Sequence, residues 1–402
     1  MPNLIPALIA LFLLAALLRI DTYFSLVYLL AAAYVFGRLW SRQSMRQLKT
    51  QRRLIARAFP GDTIPVALEV RNEGWLPVPW VEMHDSLPVD MASPPFYRRV
   101  ITLLPYESQR FEYTLSCSKR GYHVIGPMIW RTGDLLGFAP QQAGQQQPEY
   151  IIVYPRVLPL EKLGLPTRSP LASLPAPAPL FEDPTRIVGV RSYQIGDSPR
   201  RIHWTASAHA DALLVKRYQP AIARETHIFL DLDQDNYALQ RFHIASELAV
   251  VTAASLAHHI VVREDLAVGL ATQATDPLQE GEIVTLSLPP QRGRAHLMSV
   301  LEILARAEIY QQSPERRDGP LSLPDFLRRE SVKLSWGATI VLISGRETDA
   351  LYDSLVYLRR QGFAVALILV MPTPPDGDMQ ARAASMGLPT YRVWREEELE
   401  LL

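Results

Sequence analysis

Cysteine is almost absent from this chain of 402 residues, and neither sign of charge is in excess. The single Cys117 excludes an intrachain disulfide and fits a reducing compartment. The 41 Lys and Arg residues balance 41 Asp and Glu residues, so no overall field draws the protein to nucleic acid. Proline is abundant instead, at 33 residues, which favours turns, strand edges and linkers. The length suggests two or three domains.

Two apolar runs lie at the N-terminus. Leu4–Leu18 carries no charge, and Tyr23–Trp40 is charged only at Arg38. Each run is near the lower limit for crossing a bilayer, about 17–25 residues. A signal peptide would need a basic segment ahead of one apolar run, and that arrangement is not found. Residues 1–41 are therefore predicted to form a transmembrane helical hairpin. The alternative is a buried hairpin in a soluble protein.

Basic residues without acidic neighbours follow the second run and continue through a predicted juxtamembrane segment at 42–57. A basic cluster beside a span marks the cytoplasmic side, so both hairpin ends and the soluble domains are predicted to face the cytoplasm. A nucleic-acid patch is the alternative, but the position against the membrane favours lipid head groups. The residues predicted to lie at the membrane surface are Arg38, Arg42, Arg46, Lys49, Arg52 and Arg53.

Short alternating apolar runs separated by turn residues occupy residues 58–140. Ile64, Val66, Leu68 and Val70 alternate with other residues, and no helix-length periodic segment is present. This pattern predicts a small all-β domain of the sandwich type. A linker rich in proline and glutamine is predicted at 141–185, and its proline-rich part could alternatively dock a partner module.

Apolar runs and helical patterns interleave over residues 221–402, which predicts an α/β domain with a mostly parallel sheet covered on both faces. The predicted strands are Thr226–Leu230, Leu266–Leu270, Thr339–Ile343, Val365–Val370 and Pro389–Trp394, and the predicted helices are Arg241–His259, Arg294–Tyr310, Ala350–Gln361 and Met379–Met386. In such sheets ligands bind beyond the carboxyl ends of the strands. The first strand ends with Asp231, Asp233 and Asp235 at that rim.

A sheet whose first strand ends in Asp-x-Ser-x-Ser is similar to the von Willebrand factor A fold, in which this motif holds a divalent cation. Asp231 matches the first position, whereas Asp233 and Asp235 replace both hydroxyl residues. Three carboxylates at alternate positions are still able to bind Mg²⁺ or Ca²⁺, because both are hard cations that prefer oxygen. The alternative is a set of solvated residues at a strand end, or a helix cap.

Between linker and sheet, residues 186–220 combine a Gly196-Asp197 turn, a short helix to about His209 and a strand, LLVKRY. The residue types of a hydrolytic triad are present, but His203 and Ser207 stand one turn apart on one helix, and no glycine elbow exposes the serine. The segment is therefore predicted to be non-catalytic. Its arginines and Trp204 are residue types enriched at interaction hot spots, with anchoring of the helix by Trp204 as the alternative.

The pattern of this segment, Arg-x-Tyr-x-x-Gly-Asp-x-x-Arg-x-Ile-x-Trp-x-x-Ser-Ala followed by Leu-Val-Lys, resembles the signature of the family called "domain of unknown function 58". At His209 many members carry arginine instead. The residues assigned to this signature and to partner binding are Arg191, Tyr193, Gly196, Asp197, Arg200, Arg201, His203, Trp204 and Lys216.

The resemblance implies a protein of the bacterial inner membrane, with two spans, a β domain and a von Willebrand A-like domain. It also implies work beside a MoxR-type AAA+ ATPase in assembly, remodelling or envelope tasks. We therefore expect a non-enzymatic adaptor that contacts membrane lipid and a partner protein, and no nucleic acid. The alternatives are a ligand-binding protein dependent on a divalent cation, and an envelope hydrolase.

Overall fold

The computed structural model describes several stretches of the chain, which fall into two compact units. The described residues are 4–18, 21–134, 142–160, 182–193, 202–210, 212–220, 225–279, 281–311, 319–371 and 388–401. One unit is built on Met1–Arg156, and the other on most of the chain from Val157 to Leu402. The predicted hairpin and β domain lie in the N-terminal unit, and the signature segment and α/β region lie in the C-terminal unit.

The N-terminal unit begins with two apolar helices, α1 (Leu4–Leu18) and α2 (Asp21–Gln47). They pack together, with the Phe12 ring edge-on to the Phe24 ring at 5.9 Å between centroids. In the described part of the chain, α2 and Phe242–Arg263 are the two helices long and apolar enough to cross a membrane. Only 17% of the apolar window of α2 is buried, against 78% for the other helix, which is a core helix of the C-terminal unit. Helix α1 is apolar but shorter.

An all-β domain follows α2 without a break. Its strands are β1 (Leu48–Arg53), β2 (Arg57–Ala58), β3 (Thr63–Asn72), β4 (Val78–Ser86), β5 (Phe96–Leu103), β6 (Ser108–Ser116), β7 (Gly121–Ile125), β8 (Met128–Thr132), β9 (Gln142–Gln146) and β10 (Glu149–Val153). They form three small sheets in the orders β1-β3-β6, β2-β10-β7 and β5-β4-β8-β9. Side chains from the first and third sheets fill a shared core around Val70, Val81 and Leu103. Two layers packed in this way are sandwich-like.

The bounds of this domain differ from the predicted ones at both ends. Strand β1 lies inside the predicted juxtamembrane segment and pairs with β3. Leu48 and Arg52 of this strand face inward, while Lys49 and Arg53 face outward. At the other end, β9 and β10 lie in the predicted linker at 141–185 and pair with β8 and β7. The glutamine-rich sequence did not indicate a strand because Gln142–Gln146 contains no apolar alternation.

The C-terminal unit contains a six-stranded mixed sheet with helices. Its strands are β13 (Glu225–Leu230), β14 (Ala267–Asp276), β15 (Glu282–Gln291), β16 (Thr339–Ser344), β17 (Ala364–Val370) and β18 (Thr390–Val393), in the order β15-β14-β13-β16-β17-β18. Only β15 runs antiparallel to its neighbour. The helices are α4 (Phe242–His258), α5 (Arg294–Arg306), α6 (Leu323–Ser331) and α7 (Asp349–Arg360).

Helices cover both faces of this sheet. Phe229, Leu342 and Leu367 form one buried cluster with side chains of α6 and α7. The alternate strand residues, such as Ile228 and Val341, are buried as well, and successive side chains of a strand point to opposite faces. Helix α4 contacts β13, β16 and β17 but is not part of that cluster, so it covers the other face.

Most predicted elements of the α/β region at 221–402 are present, and one strand and one helix of this region were missed. Strand β15 contains Pro289 and Pro290, which argue against a strand, but an edge strand tolerates proline. Helix α6 is short and begins at an N-cap, Ser322, whose hydroxyl accepts from the Asp325 N–H. Helix α5 was predicted to continue to Tyr310, but it ends at Arg306. The predicted helix at 379–386 lies outside the described residues.

Candidate functional site

The signature segment folds as an antiparallel ribbon, β11 (Glu182–Ser192) and β12 (Leu214–Pro220), with a short helix, α3 (Trp204–Ala210), between the strands. Ile202 precedes α3 and forms an isolated bridge with Val215 of β12. Both of these side chains are buried. This apolar pair holds the start of α3 against the ribbon.

The two polar side chains considered for catalysis serve the backbone. The hydroxyl of Ser207 accepts a 2.9 Å hydrogen bond from the Leu214 N–H and donates to the Leu214 carbonyl oxygen at 3.4 Å. Nδ1 of His203 accepts from the Ala206 N–H at 3.2 Å, as an N-cap side chain does. These bonds position α3 on β12. They favour a structural role for Ser207, which is buried, over that of an attacking nucleophile.

The described signature residues differ in their exposure. Trp204 is 67% exposed, so Ile202 anchors the helix and Trp204 does not. Arg191 is exposed, while Tyr193 and Lys216 are half-buried. The backbone N–H of Tyr193 donates to the Leu213 carbonyl at 2.9 Å. The other residues predicted for this surface, Gly196, Asp197, Arg200 and Arg201, lie outside the described residues.

A second polar centre lies at the carboxyl ends of β13 and β16. Asp231 follows β13, and its Oδ2 accepts hydrogen bonds from the hydroxyl of Ser344 at 2.7 Å and from Nδ2 of Asn236 at 2.9 Å. Its Oδ1 accepts from the Asp233 N–H at 3.1 Å, and its carbonyl accepts from the Tyr237 hydroxyl at 2.5 Å. Four partners therefore fix the Asp231 backbone and carboxyl group in one position.

Burial is the main electrostatic influence on this centre. Asp231 is fully enclosed, and burial raises the pKa of its carboxyl to about 7, although the hydrogen bonds from Ser344, Asp233 and Asn236 lower it in part. Burial also raises the pKa of the Tyr237 hydroxyl well above its usual value. A carboxyl that is easily protonated and already saturated with hydrogen bonds is a weak candidate for a metal ligand.

The predicted three-carboxylate cation site is not formed. Asp233 is the N-cap of a short 3₁₀ turn and accepts from the Asp235 N–H at 3.1 Å, while Asp235 itself is exposed. Within the described ranges, no group of three or more His, Cys, Asp or Glu side chains is placed to hold a metal ion. Alternate positions along the chain brought the three carboxylates near one rim, but local turn formation separated their side chains. Of the two interpretations, a cation site or a helix cap, the structure shows the cap at Asp233.

An open groove lies where β17 and β18 end and α4 begins. Its apolar lining includes Ile244 and Leu248 of α4, Met371 after β17, and Trp394 after β18. Ile244 and Trp394 are both exposed. The polar residues that complete the lining are His243, Glu247, Arg395 and Glu396. The sequence did not indicate this groove, and Trp394 appeared there only as the last residue of the predicted strand Pro389–Trp394.

The basic residues predicted at the membrane surface divide into two groups. Arg42 and Arg46 lie one turn apart on the exposed surface of α2, and Arg38 is half-buried one turn earlier, where its guanidinium donates to the Tyr34 hydroxyl at 3.2 Å. Lys49 and Arg53 lie on the exposed face of β1. These five residues are on the surface or close to it.

Arg52 does not belong to that surface, so its prediction was wrong. Its side chain is fully buried and forms a bidentate ion pair with Asp85. It also donates to the Ile125 carbonyl at 3.3 Å and lies 3.5 Å from a carboxylate oxygen of Glu149. The cause is strand alternation, because every second side chain of β1 points into the β domain.

Comparison with known proteins identifies relatives of this chain. Residues 189–373 match the family model described as "Protein of unknown function DUF58". The uncharacterized protein YeaD of Bacillus subtilis (strain 168) is 26% identical over 262 residues, which cover 61% of this chain. The aligned region spans 60% of the length of that relative.

Two similar solved structures each cover about a quarter of this chain. A CARDB domain of the PF1109 protein from Pyrococcus furiosus, in complex with di-metal ions, is 12% identical with a TM-score of 0.20, covering 26% of this chain and 91% of that one. A β-glucosidase from Listeria innocua is 11% identical with a TM-score of 0.19, covering 28% of this chain and 16% of that one. Scores this low carry no argument about fold or function.

Proposed function

The chain belongs to the DUF58 family through residues 189–373, and on that premise we propose that it is a membrane-anchored adaptor that binds a partner protein and has no catalytic activity. The partner implied by the family resemblance is a MoxR-type AAA+ ATPase, in assembly, remodelling or envelope-related tasks. The six-stranded sheet is proposed to be von Willebrand A-like, with Asp231 at the position of the family's first cation ligand.

The observation that carries this proposal is the groove at the carboxyl ends of β17 and β18. Exposed apolar side chains in a concave surface with a charged rim are typical of protein interaction sites. Ile244 and Trp394 supply the apolar contact, and Glu247 and Arg395 supply charges of both signs at its edge. A partner segment that inserts one or two apolar side chains and carries complementary charges would fit this groove.

The hydrogen bonds around Asp231 favour a binding protein over an enzyme. Both carboxyl oxygens accept hydrogen bonds from the protein itself, so the group fixes the ends of β13 and β16. A general base must have an oxygen that can reach the proton of a substrate. The exposed Trp204 of the signature ribbon offers a second contact surface, because tryptophan is frequent at the centre of interfaces.

The anchor of the proposed adaptor is the N-terminal helical hairpin, in the inner membrane of a bacterium with the soluble domains in the cytoplasm. Helix α2 is long and apolar enough to span a bilayer, and only 17% of its apolar window is buried. Arg42 and Arg46 follow the apolar part on the exposed surface of the helix. Basic residues at that position hold the adjoining end of a span on the cytoplasmic side.

Co-purification from detergent-solubilised membranes tests the proposal. The full chain is expected to retain a co-expressed MoxR-type ATPase. The double variant Ile244→Asp with Trp394→Ala should lower the retained amount at least tenfold, because it removes the apolar contact and places a charge in the groove. The matched control is Val332→Asp, which changes another highly exposed apolar residue of the same unit outside the groove.

The result is interpretable only if the variants keep their fold, which thermal unfolding in the same detergent establishes. Undiminished capture of the ATPase by a folded groove variant would contradict the role of the groove. A second double variant, Trp204→Ala with Arg191→Ala, tests in the same assay whether the signature ribbon contributes to retention of the ATPase. Failure of the wild-type chain to retain any ATPase of this type would contradict the proposed partner.

A further inference from the structure

The apolar part of α2 is so short that, if the helix crosses a bilayer, the β domain must lie against the bilayer surface. The helix is free of the domain up to about Phe36, and from Asp21 this part measures about 24 Å at 1.5 Å per residue. A hydrocarbon core of about 30 Å needs about 20 helical residues. Twenty helical residues counted from Thr22 end near Ser41, so the hydrocarbon core would end there. About 5 Å of the adjoining head-group region would then extend along the helix to about Met45.

Beyond Phe36, α2 packs on the β domain. Gly37, Ser41 and Ser44 are buried on one side of the helix. A Cβ atom added at Gly37 would lie 3.0 Å from Cβ of Asp134, so the contact is close there. The helix residues that the bilayer must cover to reach its full thickness are therefore the same residues that hold the domain. The adjoining end of the domain has to lie at head-group depth.

Two loops lie at that end of the domain. In the loop between β3 and β4, the Pro77 carbonyl accepts from Nε1 of Trp40 at 3.0 Å, and the Glu73 N–H donates to the Gln47 carbonyl at 2.9 Å. This loop therefore runs beside α2 from the level of Gln47 back to the level of Trp40. The loop between β5 and β6 joins it, because the Tyr106 N–H donates to the Gly74 carbonyl at 3.2 Å.

These two loops carry three large exposed side chains, Trp75 at 65%, Leu104 at 61% and Tyr106 at 66%, which we call the loop patch. Their backbone is fixed. The side-chain amide of Asn72, which is buried, donates to the carbonyls of Leu76 at 2.8 Å and Leu104 at 3.0 Å. Rigid loops that present a tryptophan, a tyrosine and a leucine have the composition that favours the boundary between head groups and acyl chains.

We infer that the loop patch is a second membrane contact, in which Trp75, Leu104 and Tyr106 insert into the interfacial region of the same bilayer that α2 crosses. The inference rests on the proposed membrane anchor and adds to it a docked orientation of the β domain. Arg42 and Arg46 lie on α2 between the levels of Trp40 and Gln47, where their guanidinium groups reach lipid phosphates.

Depth-dependent fluorescence quenching tests this contact on the full chain in vesicles of phosphatidylcholine and phosphatidylglycerol. Cys117 is buried, so the wild-type chain serves as the unlabelled control. Single cysteines at Trp75, Leu104 and Tyr106 are labelled with an environment-sensitive fluorophore. Lipids with a nitroxide near the head group are expected to quench each label at least twofold more than a label at Val89→Cys. Val89 is 78% exposed in the loop between β4 and β5, at the opposite end of the domain.

A label at Leu29→Cys, on the exposed apolar surface of α2 about halfway along the proposed span, is measured with lipids that carry the nitroxide deep in the acyl chain, and it separates the two ways in which the experiment can fail. Strong quenching at Leu29 with loop-patch labels no more quenched than Val89 would overturn the second contact and leave the anchor standing. Absence of quenching at Leu29 would overturn the membrane anchor, and the second contact with it. Quenching at Leu29 and at all three loop-patch positions supports both.

Discussion

The hydroxyl of Ser344 donates a 2.7 Å hydrogen bond to Oδ2 of Asp231, and this bond joins the ends of the adjacent strands β16 and β13. Because burial raises the pKa of Asp231 from 3.8 to about 7, the folded chain binds a proton that the unfolded chain releases. The stability that this proton contributes is present at low pH and is lost as the pH rises through about 7.

Asp231→Asn should therefore stabilise the protein at alkaline pH. The amide keeps the shape of the carboxyl without a charge to bury. Its Oδ1 accepts from the Asp233 N–H, and its Nδ2 donates to the Ser344 hydroxyl and to Oδ1 of Asn236, whose side-chain amide turns over to present that oxygen. We expect the free energy of unfolding to rise by about 1–2 kcal/mol at pH 8, with a smaller gain at pH 5. Thermal unfolding in detergent at both pH values measures this. A variant that is less stable than the wild type at pH 8 would contradict the argument.

His227 should make the fold sensitive to acid. The side chain is buried on β13, neither ring nitrogen has a hydrogen-bond partner among the described residues, and burial lowers its pKa from 6.5 to about 4. Between these two values the unfolded chain binds a proton that the folded chain does not, so stability is lost as the pH falls from about 6.5 towards 4. His227→Leu should reduce that loss by about 1–2 kcal/mol, whereas His209→Leu, on the exposed surface of α3, should not change it. Unfolding curves at pH 7 and 4.5 give the comparison.

Arg52→Met should destabilise the β domain strongly. It leaves the Asp85 carboxylate buried without its ion pair, although the Tyr113 hydroxyl still donates to it at 2.8 Å. Loss of one partner of a buried pair costs about 3–5 kcal/mol. Arg53→Met, on the exposed face of the same strand, should change stability by less than about 0.5 kcal/mol. Equal unfolding midpoints for the two variants would show that the buried pair contributes little.

Gly345→Ala should also destabilise the fold, because the position has no room for a methyl group. A Cβ atom there would contact the Tyr237 ring and lie 2.7 Å from the Asn236 carbonyl oxygen. Overpacking of this kind costs about 1–3 kcal/mol. Gly189→Ala is the matched control, since a Cβ atom at Gly189 meets nothing within 4 Å in the part of the chain that the structure describes. If both variants unfold at the wild-type temperature, the turn around Asp231 is more adaptable than its contacts indicate.

The sequence predicted elements well where one period of apolar residues dominates. The two apolar helices, the alternation in β3 and the buried strands β13, β16 and β17 follow directly from such patterns. The sequence failed to predict strands that lack an apolar pattern or contain proline. Strand β9 has no apolar alternation, and β15 contains two prolines near its end, which are accepted at an edge position.

The candidate sites show a similar division. The sequence placed Asp231 at the correct rim, but it could not show that Ser344 and Asn236 saturate its carboxyl, since those contacts depend on the turn after β13 and the end of β16. It could not separate Arg52 from its basic neighbours, because inward and outward positions of β1 are defined only once β1 pairs with β3. The groove was missed because its lining comes from three separate elements.

Helix α2 continues without interruption from its apolar half into the half that packs on the β domain. If α2 spans the bilayer as proposed, one continuous helix connects the membrane to the β domain without a flexible joint between them. A change in the tilt of this helix in the bilayer would then turn the β domain by the same angle, so that a change in membrane thickness or tension would rotate the domain.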